Sequence, residues 1–524
     1  MLGYKTYPNV IEGLNGGSSG FSYGDTTVVV SSGFGDEFVG IDFGDARLSH
    51  RIVRIADRLG KCCQSSIPAA TDGRAEMEAV YRFMGNPKVS AEKLMGPHRQ
   101  ATLERIGQCD VVLLVQDTTE LDVTRPSQQV RGAGPLTHNA RRGSFYHPLI
   151  AFNAAGVALG TVWHKHWVRE AICTDRTTAQ KRVDTRSKPI EEKESFRWLE
   201  GVRAALEVAN QCPETQSVLI SDSESDIYEV LAEPRETEHG RKLEILIRSA
   251  GDRNLEVEED EDQDKLLARV RSTPGLFALT IDVSKRTQKT NVKTKSSRKC
   301  SREGRLAEVE VRASRVIIRS PRNSPRRPSI TCHVVLVEET SPPAGEPPIQ
   351  WLLITSLPID TIEEVQQIIR YYCQRWQIEI YFRTLKSGCR IQERYFETMN
   401  RLENCLAIYT VIAWKILYLC RLGQECPDLP CDIIFSDSEW KAVYTVIHKK
   451  QPPSEPPSIN AMIRMIASLG GYVIRKSTHP GTQTLWLGLQ RVYDLANAWD
   501  SFGPGCPAPE QPQNFLAPGT CVVR

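Results

Sequence analysis

Two short apolar runs, VVLLVQD (111–117) and SVLISD (217–222), each end on an aspartate. Uninterrupted apolar runs of this length read as strands covered on both faces. EILIRS (244–249) and WLLITS (351–356) have the same character. HPLIAFNAAG and VALGTVWHKHW (147–167) read as a hairpin turning at Gly156, and 191–208 reads as a helix. This mixture restricts the chain to an α/β fold, in which acids at strand C-termini mark one edge of the sheet for a site. A lone strand-end Asp serves as often as a helix N-cap, so each aspartate by itself keeps two readings.

The sequence has 524 residues, enough for about three domains. Its net charge is only +2, so any basic surface must be local. Fifteen cysteines without a CxxC pair read as free thiols rather than a disulfide framework or zinc site. No charged segment followed by an apolar one opens the chain, which argues against a signal peptide. The most apolar stretch, 405–422, is interrupted by Lys415 and reads as a buried helix rather than a membrane span. The expectation is a cytoplasmic protein with no membrane partner.

Composition shifts divide the chain. Residues 1–38 and 503–524 read as a disordered leader and tail. Residues 39–107 form a small helical domain, 108–250 and 346–425 the two parts of the α/β core, 251–345 a β-rich insertion, and 426–502 a C-terminal helical region. In the first helical domain Arg47, Arg51, Arg54, Arg58 and Lys61 form a stripe at helical spacing, either a phosphate-tracking surface or a solvated face. The insertion opens on an acidic run (256–264). It continues into 285–327, where fifteen Lys or Arg face three Glu, either a nucleic-acid-binding loop or a disordered tract.

YCQRWQIEIYFRTLK (372–386) carries the most chemistry. On an ideal helix Tyr372, Arg375, Glu379, Arg383 and Lys386 share an arc of about 80°. A surface face with i,i+4 ion pairs accounts for part of that pattern. With Asp117 and Asp222 at strand ends, however, Glu379 completes an oxygen-rich set suited to Mg²⁺ or Mn²⁺ and to phosphoryl transfer, and the cations beside it suit a phosphodiester backbone.

Tyr372-x2-Arg375-x3-Glu379-x6-Lys386 resembles the Y-R-E-K signature of the bacterial cut-and-paste DDE transposases of the insertion-sequence-four family, including the hairpin-forming transposon-five type. The resemblance extends to FGDARLSHRIVRIADRL, AVYRFMGNPKVS, Gln116-Asp117-Thr118-Thr119, the Asp222-Ser-Glu-Ser-Asp226-Ile segment, EEKES with Trp198, and WLLITS, spanning about residues 40 to 475. It implies an RNase H-like catalytic core interrupted by a β subdomain, between an N-terminal domain that binds transposon ends and a C-terminal dimerisation region. It implies that Asp117, Asp222 and Glu379 are catalytic and hold two Mg²⁺ (or Mn²⁺) ions. Tyr372, Arg375 and Lys386 would contact DNA phosphates with help from Arg383, and Arg47, Arg51 and Arg54 would contact the ends. Trp351 would stack on a flipped base, although a plain core Trp is nearly as good a reading of that position. The implied partners are double-stranded DNA, both ends and target, and a second copy in a synaptic complex at the bacterial nucleoid.

Ser223 departs from the family pattern, which has Arg there, so a phosphate contact is missing or replaced. His164-x-His166 reads as a strand surface feature rather than a metal site. Two other classes compete: a non-catalytic DNA-binding or inhibitory relative, and an RNase H-like nuclease without strand transfer.

Overall fold

The computed structural model describes residues 33–125, 129–138, 140–170, 188–240, 242–256, 265–283, 285, 303–321, 327–473 and 479–504. One mixed sheet runs through them. Its strands are β1 (Val111–Gln116), β2 (Thr119–Asp122), β3 (Gly134–Pro135), β4 (Arg142–Asn153), β5 (Ala158–Trp167), β6 (Gln216–Ser221), β7 (Glu244–Arg248), β8 (Phe277–Val283), β9 (Arg305–Ile318), β10 (Ile330–Glu339) and β11 (Gln350–Thr355). Their order is β2-β4-β1-β6-β7-β11-β10-β9-β8, with β3 and β5 also paired to β4. β1, β6 and β7 are mutually parallel and all other neighbours antiparallel.

The apolar runs are continuous because both faces of these strands are covered. Leu113 and Val115 of β1 pack into one core with Val218 and Ile220 of β6. Val112, Leu114 and Leu219 point the other way, into a second core with Trp198 and Val202 of helix Phe196–Gln211. The first core is closed by helices Ile362–Gln374 and Met399–Glu425. Met399–Glu425 is long and apolar enough to span a membrane, but 94% of its apolar window is buried inside the protein. It is a core helix. Its Lys415 donates to the carbonyl of Gly33, and burial pushes the ammonium down to about 8.

The strands of the insertion do not stand apart. β10 pairs with β11, so β8, β9 and β10 extend the central sheet. Val334 and Leu336 of β10 face one core while Val335 and Val337 face the other, which is why this strand joins the sheet's middle. About half of the basic stretch of 285–327 (286–302 and 322–326) lies outside the described residues, as do 257–264 of the acidic run. Within the described part, Arg305 pairs with Glu339 and Glu346, Arg312 with Glu310, Arg327 with Glu229 and Lys285 with Glu303.

The N-terminal helices are Ala46–Lys61, Ile67–Ala70, Arg74–Met84 and Ala91–Ile106. Of the residues expected to form a disordered leader, 33–38 are packed and 1–32 lie outside the described ones. Phe34 sits against Gly60, Phe38 is fully buried, and Glu37 accepts from His98 (2.6 Å) and from both terminal nitrogens of Arg105 (2.9 and 3.0 Å). Two aromatics and a paired carboxylate give this segment enough partners to order it. Of the tail, 505–524 also lies outside the described residues. The C-terminal helices are Asp437–His448, Ile459–Leu469 and Thr482–Phe502.

The segment 372–386, read above as one ideal helix, lies across three pieces: Ile362–Gln374, Gln377–Arg383 and a π turn, Thr384–Gly388. At the first break, Arg375 and Trp376 donate to carbonyls three residues back, at 3.1 and 3.3 Å, which tightens the turn. At the second, Cys389 N donates to Thr384 O at 2.7 Å, which widens it. A mid-helix 3₁₀ step and a π turn are both common at functional positions.

Candidate active site

Parallel pairing brings the two aspartates together. Val115 lies opposite Ile220, so Asp117 and Asp222, each two residues further on, leave neighbouring strands at the same edge. Adjacent strands are about 4.8 Å apart. The β6–β7 register sets Ser221 opposite Ile247, which brings Arg248 to the same edge beside Asp222.

The helical segment closes the site. Arg375, at the first break, reaches Asp117 Oδ2 at 3.3 Å and Glu379 Oε1 at 3.0 Å. One guanidinium therefore bridges the carboxylate from β1 and the carboxylate from the helix. Burial, then the charge of Asp222, pushes the Asp117 carboxyl up to about 7; Arg375 and the Thr118 N–H (2.7 Å) oppose this, and Glu379 adds to it. Burial also raises the Tyr372 phenol, against Arg375 and Arg248. The Trp351 ring lies 6.2 Å from that of Tyr372, on β11 beside β7. Lys386 comes off the π turn, where burial pushes its ammonium down to about 8 against the pull of Glu120, Asp117 and Asp122. Arg141 pairs with the two of these on β2, Glu120 at 2.8 Å and Asp122 at 3.4 Å.

Behind the acids, a hydrogen-bond network fixes the Asp117–Thr118 corner. Thr118 Oγ1 bonds His147 Nδ1 (2.8 Å) and accepts from Arg197 Nε (2.8 Å), while His147 Nε2 meets Gln116 Oε1 at 3.1 Å. Burial holds His147 well below its ordinary value, so it is an uncharged spacer. Arg197 also pairs with Glu224 at 3.0 Å.

Of the residues singled out in the sequence, Asp117, Asp222, Trp351, Tyr372, Arg375, Glu379 and Lys386 gather here. Arg383 does not join them: it donates to Gln483 on the C-terminal helix. The two helix breaks fall on either side of it, and its ideal-helix position near Glu379 is not where its bond is made. Asp226, next in the second acidic motif, is structural. It accepts from Ser249 Oγ (3.0 Å), Ala250 N (2.7 Å) and Arg253 Nε (2.8 Å). Arg47, Arg51 and Arg54 are exposed and line a groove of about 600 Å³ between helices Ala46–Lys61 and Arg74–Met84. Arg58 is engaged by Asp72 and Tyr493 instead.

Sequence reasoning passed over Arg248, His147 and Arg197. Arg248 carried a readable signal, because a polar residue ending an apolar strand is the same pattern that drew attention to Asp117 and Asp222.

Three acids of this kind are a donor set for a hard divalent cation. The raised Asp117 carboxyl reflects burial first and the neighbouring charge of Asp222 second, against the pull of Arg375. Among the described residues, no three His, Cys, Asp or Glu side chains already stand as a metal cluster. Asp117, Asp222 and Glu379 offer carboxylate oxygens, the chemistry such an ion takes, with the Arg375 guanidinium seated between Asp117 and Glu379.

Three family models match the chain: "Transposase DNA-binding" over 32–89, "Transposase DDE domain" over 170–414, and "Transposase Tn5 dimerisation domain" over 411–498. These are transposase domains. The DNA-binding match holds the arginine stripe, the DDE match holds Asp222, Trp351 and the 372–386 segment, and the dimerisation match holds most of the C-terminal helices. Asp117 lies before the start of the transposase DDE match. A solved structure described as "Cryo-EM structure of piggyBac transposase synaptic complex with hairpin DNA (SNHP)" is similar to the chain at 10% identity and a TM-score of 0.30. The similarity covers 84% of this chain and 66% of that one, a likeness too loose to carry weight.

Proposed function

We propose that this chain is an insertion-sequence-four type DNA transposase that cuts at terminal inverted repeats through a hairpin intermediate, using Asp117, Asp222 and Glu379. The observation that carries the reading is the meeting of two strand-end aspartates from adjacent parallel strands with Glu379, tied in by Arg375. The succession β5-β4-β1-β6-β7, with parallel β1, β6 and β7, supports an RNase H-like core.

Asp117, Asp222 and Glu379 would hold Mg²⁺ or Mn²⁺, two ions per site, which supply activation of the attacking oxygen and stabilisation of the leaving one. The chain's own side chains do the rest. Arg375 is held between two carboxylates and offers its remaining N–H groups to a phosphate. Lys386 and Arg248 add charge on either side, so the scissile backbone enters a site with cations along its length. Arg248 supplies beside Asp222 the cation that Ser223 lacks. Trp351, next to Tyr372, presents a face on which a base turned out of the helix can stack. Arg47, Arg51 and Arg54 hold the ends through phosphates, in a homodimer that synapses two ends. Water first nicks one strand, the freed 3′-hydroxyl attacks the opposite strand, and hairpin opening and transfer to target DNA follow, at the bacterial nucleoid.

The test is purified protein with Mn²⁺ or Mg²⁺ and a duplex bearing the inverted repeats that flank the gene, with Glu379→Ala alongside. Nicks at the repeat boundary followed by a hairpin-sized product, absent in the variant, are expected. Specific binding without cleavage under either metal would overturn the catalytic reading in favour of a DNA-binding relative.

A further inference from the structure

The π turn Thr384–Gly388 carries Lys386 at its centre, and both of its flanks are held by one helix of the C-terminal region. Before the turn, Arg383 donates to Gln483. At its end, Gly388 packs closely against the indole of Trp486. A Cβ added at Gly388 would stand 2.9 Å from both Cδ2 and Cε3 of that ring, closer than a side chain tolerates. Trp486 is 3% exposed, so its ring has nowhere to retreat without disturbing its surroundings. Gln483 and Trp486 are three apart on helix Thr482–Phe502 and so share one face.

We propose that Trp486 is a positioning residue for Lys386. It props open the π turn that delivers this lysine to the acid cluster, so the C-terminal helix sets the competence of the cleavage site. The physical basis is that a π turn is a rare, locally weak conformation, held where tertiary contacts over-determine it. The glycine lets the backbone approach the ring, and the ring fills the space that the widened turn opens. The lysine between the two contacts is carried with the turn. The C-terminal helix lies mostly within the segment that matches a transposase dimerisation domain, so events at that region reach the active site through Trp486. The inference rests on the transposase reading above and adds to it a residue that touches neither DNA nor the acids.

The experiment is a double-mutant cycle in the full-length protein, read as single-turnover cleavage of a duplex carrying the flanking repeats. End-binding affinity and dimer mass are measured in parallel. Trp486→Ala is expected to slow cleavage at least tenfold while end binding stays within about twofold. In a Lys386→Ala background the same substitution is expected to cost less than twofold, because the two act through one group. Trp486→Phe, which keeps a ring against Gly388, restores most of the rate, and Gly388→Ala loses rate as Trp486→Ala does. Independent multiplication of the Trp486 and Lys386 effects would overturn the proposal, as would loss of end binding or dimer mass in step with cleavage. Wild-type rates in both Trp486→Ala and Gly388→Ala would overturn it too. Failure of the wild-type protein to cleave would refute the transposase reading itself, a result distinct from all of these.

Discussion

The helix Ala46–Lys61 and the segment 372–386 carry the same sequence device, cations repeating at helical spacing, and the fold uses them in opposite ways. On the first, Arg47 keeps 91% of its side-chain surface open to solvent. On the second, Arg375 keeps 14% and is spent between Asp117 and Glu379. An exposed row of guanidinium groups attracts a polyanion at any register and is screened by salt. A buried one compensates a particular pair of acids and holds them in place. Equal patterns of charge thus leave cations open to solvent in one place and locked between acids in the other, and burial decides which.

Four measurements break or sharpen this contrast. The largest effect is expected at the buried end: Glu379→Gln or Asp222→Asn should lower cleavage on the order of 10³-fold, the several kcal/mol that metal-assisted charge stabilisation supplies. End binding should be unchanged, as gel-shift titration would report. Next, Arg375→Ala should destabilise the metal-free protein by about 3 kcal/mol in urea unfolding, because it takes from the buried Asp117 the guanidinium that pairs with it. Arg51→Ala should change stability by less than about 0.5 kcal/mol.

A buried cation with no DNA role provides the third comparison. Lys415 has its ammonium pushed down to about 8, so between pH 8 and about 10.4 the unfolded chain binds a proton that the folded one has shed. Stability contributed at this position therefore rises with pH across that window. Relative to wild type, Lys415→Met should lose about 3 kcal/mol of stability between pH 8 and 10.4. A flat difference would show that the lysine is solvated. The smallest effect is expected on the stripe: Arg51→Ala and Arg54→Ala should each reduce the slope of log affinity against log salt by about one. Arg58→Ala should move it less, since Asp72 and Tyr493 already hold that side chain.

Much of the site was legible beforehand because strand-end position is a local property. An apolar run that stops on Asp117 or Asp222 tells which residue emerges, and a helical period tells which of 372–386 share a face. Register between distant strands is not local, so the placing of Arg248 opposite Asp222, and the bonds of Thr118 with His147 and Arg197, could not be read. Arg383 shows the other limit. The angular arithmetic assumes an even helix, and here a tight step and a wide turn interrupt it while a distant helix supplies Gln483. The same reason hid the packing of 33–38, whose partners His98 and Arg105 lie some sixty residues away.

Those long-range ties have a consequence for how the chain is made. Gly33 is held by Lys415, and the carbonyls of Met84 and Val89 by Asn404 at 3.0 and 3.2 Å. On the ribosome the first helices emerge more than 300 residues before these clamps exist, and closure of such long loops comes late in folding. The N-terminal helices thus spend most of translation without their final partners, and the arginine stripe reaches its finished setting only when synthesis is nearly over.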